Sequence, residues 1–138
     1  MSSDSCLFCR IAKGEIPSFK IHEDEKFLAI LDISQFTEGH CLVIPKDHYE
    51  TIWDFPDIGK LYDFIQKVGN NFKEKGFEYV DTMTFGRMIH HAHVHLIPHN
   101  NDNVDWKRAL AVLGEYQHDP DRNPSKEEGD ALVKKYGS

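Results

Sequence analysis

An α+β fold, a five-stranded antiparallel sheet with one main helix plus short helices, is predicted for this chain by three observations. Apolar runs of strand length stand at residues 19–22, 27–32, 40–45, 78–85 and 89–97. One longer stretch has the spacing of an amphipathic helix. Helices do not alternate with the strands, which argues against a doubly wound parallel sheet.

Taken in order, the first two runs are separated by Glu23-Asp24-Glu25-Lys26 and read as a short hairpin, and the third is introduced by Gly39. Ile58, Leu61, Ile65, Val68 and Phe72 then recur at steps of three and four, from a start near Asp54 and Pro56 to a stop at Gly76. The last two strands are joined near Gly86. Beyond His99 the chain becomes polar, with a loop at residues 100–103 and a helix over 106–116. Ser125 and Glu128 have the spacing of a capping box and open a short helix towards Tyr136. Residues 1–99 are therefore expected to form the domain. Residues 100–138 are expected to form a C-terminal tail whose short helices pack on the domain or on a partner.

The chain of 138 residues is long enough to bury a core without disulfide staples. Its formal net charge of -7 opposes a nucleic-acid or anionic-membrane surface and leaves room for a small anionic ligand. No apolar run approaches transmembrane length, and the first residues lack the basic and apolar regions of a signal peptide, so a cytoplasmic protein is expected. Cys6-x-x-Cys9 stands at metal-ligand spacing, with a redox dithiol or two free thiols as the alternatives. Cys41, inside the run Cys41-Leu42-Val43-Ile44, reads as a small buried hydrophobe.

His91, His93 and His95 alternate with Ala92, Val94 and Leu96. On a strand this puts three imidazoles on one face, roughly 6.6 Å apart, and three apolar side chains on the other. A helix would scatter them. Such a row can chelate a metal, line an anion pocket or supply a nucleophile. Crowded imidazoles repel protons from one another, so at neutral pH at least one is uncharged and nucleophilic.

The run His91-Ala92-His93-Val94-His95-Leu96-Ile97-Pro98 resembles the signature of the histidine triad (HIT) nucleotide-binding proteins. So do Cys6-Leu7-Phe8-Cys9-Arg10-Ile11 with Gly14-Glu15-Ile16-Pro17, Leu31-Asp32-Ile33-Ser34-Gln35, and Gly39-His40-Cys41-Leu42-Val43-Ile44-Pro45-Lys46-Asp47-His48, in the family's order. The likeness covers residues 4 to 99 and is closest to the bacterial Hint-type branch. It implies a homodimer joining two such sheets. It also implies hydrolysis or transfer at the α-phosphorus of purine nucleoside phosphoramidates or dinucleoside polyphosphates, through a covalent nucleotidyl-histidine.

By this resemblance His93 is the nucleophile, His95 contacts the phosphate and leaving group, and His40 supports the triad from a neighbouring strand. Asp32 accepts from the ribose hydroxyls, or else serves its own turn as strand-end Asp residues do. Leu7, Phe8, Ile11 and Ile33 wall the base or simply pack the core. Cys6, Cys9, His48 and His91 are implied as ligands of a structural zinc, with His90 and His99 as rival ligands and no catalytic cofactor.

Departures from the family pattern lie just before the triad. Gly86-Arg87-Met88 stands where a glutamine and a hydroxyl residue are usual, so Arg87 is assigned to the phosphate while Met88 donates nothing. The preceding loop, Asp81 to Phe85, is shorter than usual, and His99 replaces a common arginine. Two other readings follow: a nucleotide-binding module with little turnover, and a metal-dependent hydrolase with His91, His93 and His95 as ligands.

Overall fold

Residues 4–138 are described by the computed structural model, in two compact units that divide between Asn103 and Val104. The first holds α1 (Leu7–Ala12), β1 (Lys20–Glu23), β2 (Phe27–Leu31), β3 (Cys41–Pro45), α2 (Ile58–Glu74), β4 (Tyr79–Met83) and β5 (Val94–His99). The five strands form one antiparallel sheet in the order β1-β2-β3-β5-β4.

Strand periodicity divides the core into two layers. Phe27, Ala29, Cys41, Val43, Val94 and Leu96 point to one face, where they meet Leu61, Phe64, Ile65, Val68 and Phe72 of α2. Each buried Val, Leu, Ile or Phe among them contributes about 1.5–3 kcal/mol. Leu28, Ile30, Leu42 and Ile44 point to the opposite face and meet Phe8, Cys9 and Ile11 of α1. Both faces of β2 and β3 are thus covered, which is why these runs are continuously apolar. Cys41 is fully buried, and burial pushes its thiol up to about 12. It behaves as the small hydrophobe expected of it.

The main helix begins at Ile58, later than the expected start near Asp54, because the Asp57 side chain caps it by accepting from the Lys60 amide. Gly76, at φ 102°, follows its last turn as expected. Helix α1 has no counterpart among the predicted elements. Six residues are too few for a periodic signal, and a helix this short is held by its buried Phe8, Cys9 and Ile11 rather than by propensity.

The triad strand differs from expectation. β5 begins at Val94 rather than at residue 89, and it runs on to His99. Before it the Ala92 amide donates to the Tyr49 carbonyl at 2.6 Å, outside the sheet ladder, so His91 and His93 stand at the approach to the strand. His40 likewise stands just before β3 rather than on it.

The second unit contains α3 (Val104–Gln117), a 3-10 turn at Pro120–Arg122 and α4 (Lys126–Tyr136). The capping box forms: Ser125 Oγ accepts from the Glu128 amide at 3.1 Å, and the Ser125 amide donates to Glu128 Oε2 at 2.9 Å. Among the described residues no helix is long and apolar enough to cross a membrane.

Gly39 lies at φ 92°, and a Cβ there would come within 3.1 Å of Pro98 Cγ and 3.2 Å of Phe72 Cε1. Both backbone strain and crowding oppose any side chain. Gly39→Ala is expected to lower unfolding free energy by about 1–3 kcal/mol in urea titration, and a variant as stable as wild type would contradict this.

Candidate active site

Two histidines of the triad have their tautomers set by carbonyls, which can only accept. His93 Nδ1 lies 2.7 Å from the His91 carbonyl oxygen, so Nδ1–H donates and Nε2 keeps a free lone pair. His91 is held the other way round: its Nε2–H donates to the Pro45 carbonyl at 2.7 Å, which frees Nδ1. The Thr84 hydroxyl donates to the His93 carbonyl at 2.9 Å and anchors the backbone between them. Sequence reading passed over Thr84, whose only signal is a hydroxyl in a short loop beside the triad.

The freed Nδ1 of His91 faces sulfur. It lies 3.4 Å from Sγ of both Cys6 and Cys9, while His48 Nδ1 is 3.2 Å from Cys9 Sγ. The four donor atoms lie within 4.8 Å of one another. Ligand atoms on a tetrahedral zinc are about 3.6 Å apart, so the cluster fits that ion with little movement. The chemistry of the donor set agrees. Burial and the adjacent Cys6 push the Cys9 thiol up to about 11, a penalty that a bound cation reverses by stabilising thiolate. The carbonyl bond at His91 Nε2 is the outer hydrogen bond that a ligating imidazole normally makes. Of the rival ligands, His90 is exposed, and His99 is stacked on Tyr79 with Nε2 3.7 Å from Asp81; neither belongs to this cluster.

His95 turns towards a third group. Its Nδ1 is 2.9 Å from His40 Nε2, and His40 Nδ1 lies 3.1 Å from the Ser34 carbonyl and 3.2 Å from the Phe36 amide. His40 Nδ1 thus meets both an acceptor, the Ser34 carbonyl, and a donor, the Phe36 amide, and His40 Nε2 shares a single proton with His95 Nδ1. Asp32 completes the group. Its Oδ1 accepts from the Ser34 amide at 2.8 Å, and its Oδ2 lies 3.7 Å from His40 Nε2 and 3.9 Å from His95 Nδ1. One oxygen therefore serves the turn, and the other faces the histidines.

The three triad imidazoles do not converge on one point. No metal-ligand cluster among the described residues unites them: His91 belongs to the thiol group, and His95 to a group with Asp32 and His40. The arrangement needed by a hydrolase with all three as metal ligands is absent from that set.

A cavity of about 490 Å³ opens on the same face of the sheet as α1, and Leu7, Phe8, Ile11, Ile33 and Asp32 all line it. Ile89 and Leu42 also line it and were not singled out in the sequence; Leu42 was legible as the alternate position of a strand whose other face is core. The triad rings are not in this lining. Phe8 is the connection, since it packs in edge-to-face geometry with ring centroids 5.3 Å from His93 and 5.8 Å from His91. Arg87 is exposed and lies outside the cavity, its guanidinium 5.6 Å from the Phe85 ring centroid, and Phe85 in turn is 6.0 Å from His95. Met88 is 94% exposed.

Fold and site can be set beside known proteins. A family model described as the HIT domain matches residues 13–102. The chain belongs to the HIT domain family. The HIT match takes in all five strands and α2, and begins after Cys6, Cys9 and α1. "Protein hit" of Bacillus subtilis (strain 168) is 41% identical over 105 residues, covering 70% of this chain and 72% of that protein. An adenosine 5'-monophosphoramidase of Candida albicans is 37% identical over 121 residues, covering 76% of this chain and 80% of its own. The crystal structure of a zinc-bound histidine triad family protein from Mycobacterium smegmatis superposes with a TM-score of 0.63 at 33% identity, over 75% of this chain and 81% of that one. The open five-stranded antiparallel sheet with several helices matches the fold of HIT structural neighbours.

Burial first, then the neighbouring His93 and His40, push His95 from 6.5 down to about 4. An unfolded chain takes up this proton where the folded one does not. The stability contribution is therefore complete above pH 6.5 and lost as the pH falls towards 4. Urea titrations across that window should show wild type losing stability more steeply than His95→Asn, and equal slopes would count against the assignment.

Proposed function

We propose that this protein is a nucleotidyl hydrolase or transferase acting at the α-phosphorus of purine nucleoside phosphoramidates or dinucleoside polyphosphates. The observation that carries the reading is the 2.7 Å bond from His93 Nδ1 to the His91 carbonyl, which leaves Nε2 unprotonated beside the cavity wall formed by Phe8. The name of the Candida albicans relative, an adenosine 5'-monophosphoramidase, supports the substrate class.

The base packs among Leu7, Phe8, Ile11 and Ile33, and Asp32 Oδ2 accepts from ribose. His93 Nε2 then attacks phosphorus. A P–Nε2 bond forms, and the bond to the leaving nitrogen breaks with its electron pair; a nitrogen that arrives protonated departs as neutral amine. Water next attacks phosphorus, the P–Nε2 pair returns to His93, and the water proton passes to the neutral His95 ring. Splitting one slow displacement into two is what covalent catalysis contributes. His40 positions His95, and Arg87, close to Phe85, adds charge for the phosphate.

Zinc held by Cys6, Cys9, His48 and His91 supplies a structural cross-link when bound. In this reading it ties the start of α1, through Cys6 and Cys9, to the approach of β5 and takes no part in the chemistry. The zinc-bound Mycobacterium smegmatis relative supports it. A nucleotide-binding module with little turnover is the second reading, favoured by the exposed Met88, whose thioether cannot donate to a phosphate.

Incubation with adenosine phosphoramidate, followed by quench and intact mass measurement, is expected to reveal one adenylate per chain. The adduct should survive chelator and be absent from His93→Asn. Nucleotide binding without adduct or turnover selects the second reading. We further propose a homodimer assembled through the free edge of β4, the last strand in the sheet order. Sedimentation should give twice the chain mass; a monomer at assay concentration would refute the assembly.

A further inference from the structure

The connection between β2 and β3 carries Asp32 at its start and His40 at its end, and a slack loop there would let the carboxylate and the imidazole move independently. Gln35 closes it. Its Nε2 donates to the carbonyl oxygens of Asp32 and His40, the second at 2.7 Å, and its Oε1 accepts from the Gly39 amide at 2.9 Å. A primary amide has two N–H donors and an acceptor oxygen, so one side chain can make all three bonds at once. We propose that Gln35 is a positioning residue, which fixes the backbone at Asp32 and His40 together and so couples ribose recognition to the orientation of His95.

The surrounding bonds make that backbone a lever on the site. The Asp32 amide donates to the His40 carbonyl at 3.0 Å, so the two ends of the loop already lie side by side where Gln35 reaches them. Asp32 Oδ1 accepts from the Ser34 amide at 2.8 Å, which sets the direction of Oδ2 from the loop itself. His40 is held from the same loop: Phe36 stacks on it with ring centroids 4.9 Å and planes 10° apart, and the Phe36 amide lies 3.2 Å from Nδ1. Thr37 is 4% exposed, and its hydroxyl donates to the Pro98 carbonyl at 2.6 Å, anchoring the loop to the strand that carries His95.

The chemistry of the position selects an amide. Gln35 is exposed and fills no core, so its three bonds serve geometry rather than burial. A carboxylate of the same shape could still accept from Gly39, but it would face two carbonyl oxygens with no proton to offer. A thioether of similar length would donate nothing and repel nothing.

The inference rests on the reading above, in which Asp32 accepts from ribose and His40 positions His95. Its test avoids turnover. Wild type, Gln35→Met and Gln35→Glu are titrated by calorimetry with AMP and with 2',3'-dideoxy-AMP, which lacks the hydroxyls that Asp32 would accept from. Wild type is expected to prefer AMP by at least about tenfold, as for hydrogen bonds to a charged acceptor. Gln35→Met should reduce that preference, and Gln35→Glu should abolish it, with dideoxy-AMP bound equally by all three. The imidazole N–H shared by His40 and His95 is followed by NMR: protected from exchange with water in wild type, it should exchange faster in Gln35→Met and fastest in Gln35→Glu.

A role in packing alone gives the opposite order, because Glu copies the shape of Gln and Met does not. That order, or a preference and an N–H unchanged in folded variants, would overturn the inference; so would loss of the preference with the N–H still protected. Should one variant not fold, the other carries both readings. Wild type that binds AMP and dideoxy-AMP alike refutes the ribose contact rather than Gln35, whose hold on His40 is then decided by the exchange of the N–H.

Discussion

His91 gives two different things to its surroundings, and the rest of the site depends on both. Its side chain is turned away from the other triad members by the Pro45 carbonyl and presents Nδ1 to two thiols. Its own backbone carbonyl accepts from His93 and thereby decides which nitrogen of that ring is bare. A single residue couples the cysteine cluster to the tautomer of its neighbour. A change that moves the His91 backbone alters the chemistry of His93 without touching its ring. The Ala92 amide, bonded to the Tyr49 carbonyl, and the Thr84 hydroxyl, bonded to the His93 carbonyl, hold that backbone from both sides.

The sheet supplies the rigidity that such a coupling needs. Strands β2 and β3 are buried on both faces, with α2 on one and α1 on the other. Catalytic precision is greatest where side chains are carried by packed elements rather than by free loops. Here His95 stands on β5 opposite Leu42 of β3, and His40 precedes β3 by one residue. The sheet register therefore sets the distance between these two imidazoles, and the side of the sheet that carries them is the one opened by the cavity.

The strands were legible because their two periodicities are: apolar runs of five residues for the doubly covered strands, and strict alternation for the triad. The helix α2 was legible from Leu61, Ile65, Val68 and Phe72, and its true start was hidden because Asp57 caps it through a side chain. Helix α1 was invisible for a different reason, since Phe8, Cys9 and Ile11 gain their place from a sheet far along the chain. Alternation of His91, His93 and His95 located the chemistry but misjudged the element. The two first residues lie before β5, where Ala92 bonds outside the ladder, and only tertiary contacts decide that. Resemblance assembled Cys6, Cys9, His48 and His91, a set that no local spacing in the sequence unites.

Asp32, His40 and His95 show how one hydrogen bond orders a group of three. His40 Nε2 and His95 Nδ1 meet at 2.9 Å with ring centroids 5.2 Å apart, so the two rings point at each other along the bond and hold a single proton between them. Burial lowers the proton affinity of both imidazoles and favours their neutral forms, while Asp32 opposes that shift without reversing it. Its Oδ1 is tied to the Ser34 amide, and its Oδ2 stands 3.7 and 3.9 Å from the two rings, near enough to act through its charge and too far to take the proton by a direct hydrogen bond.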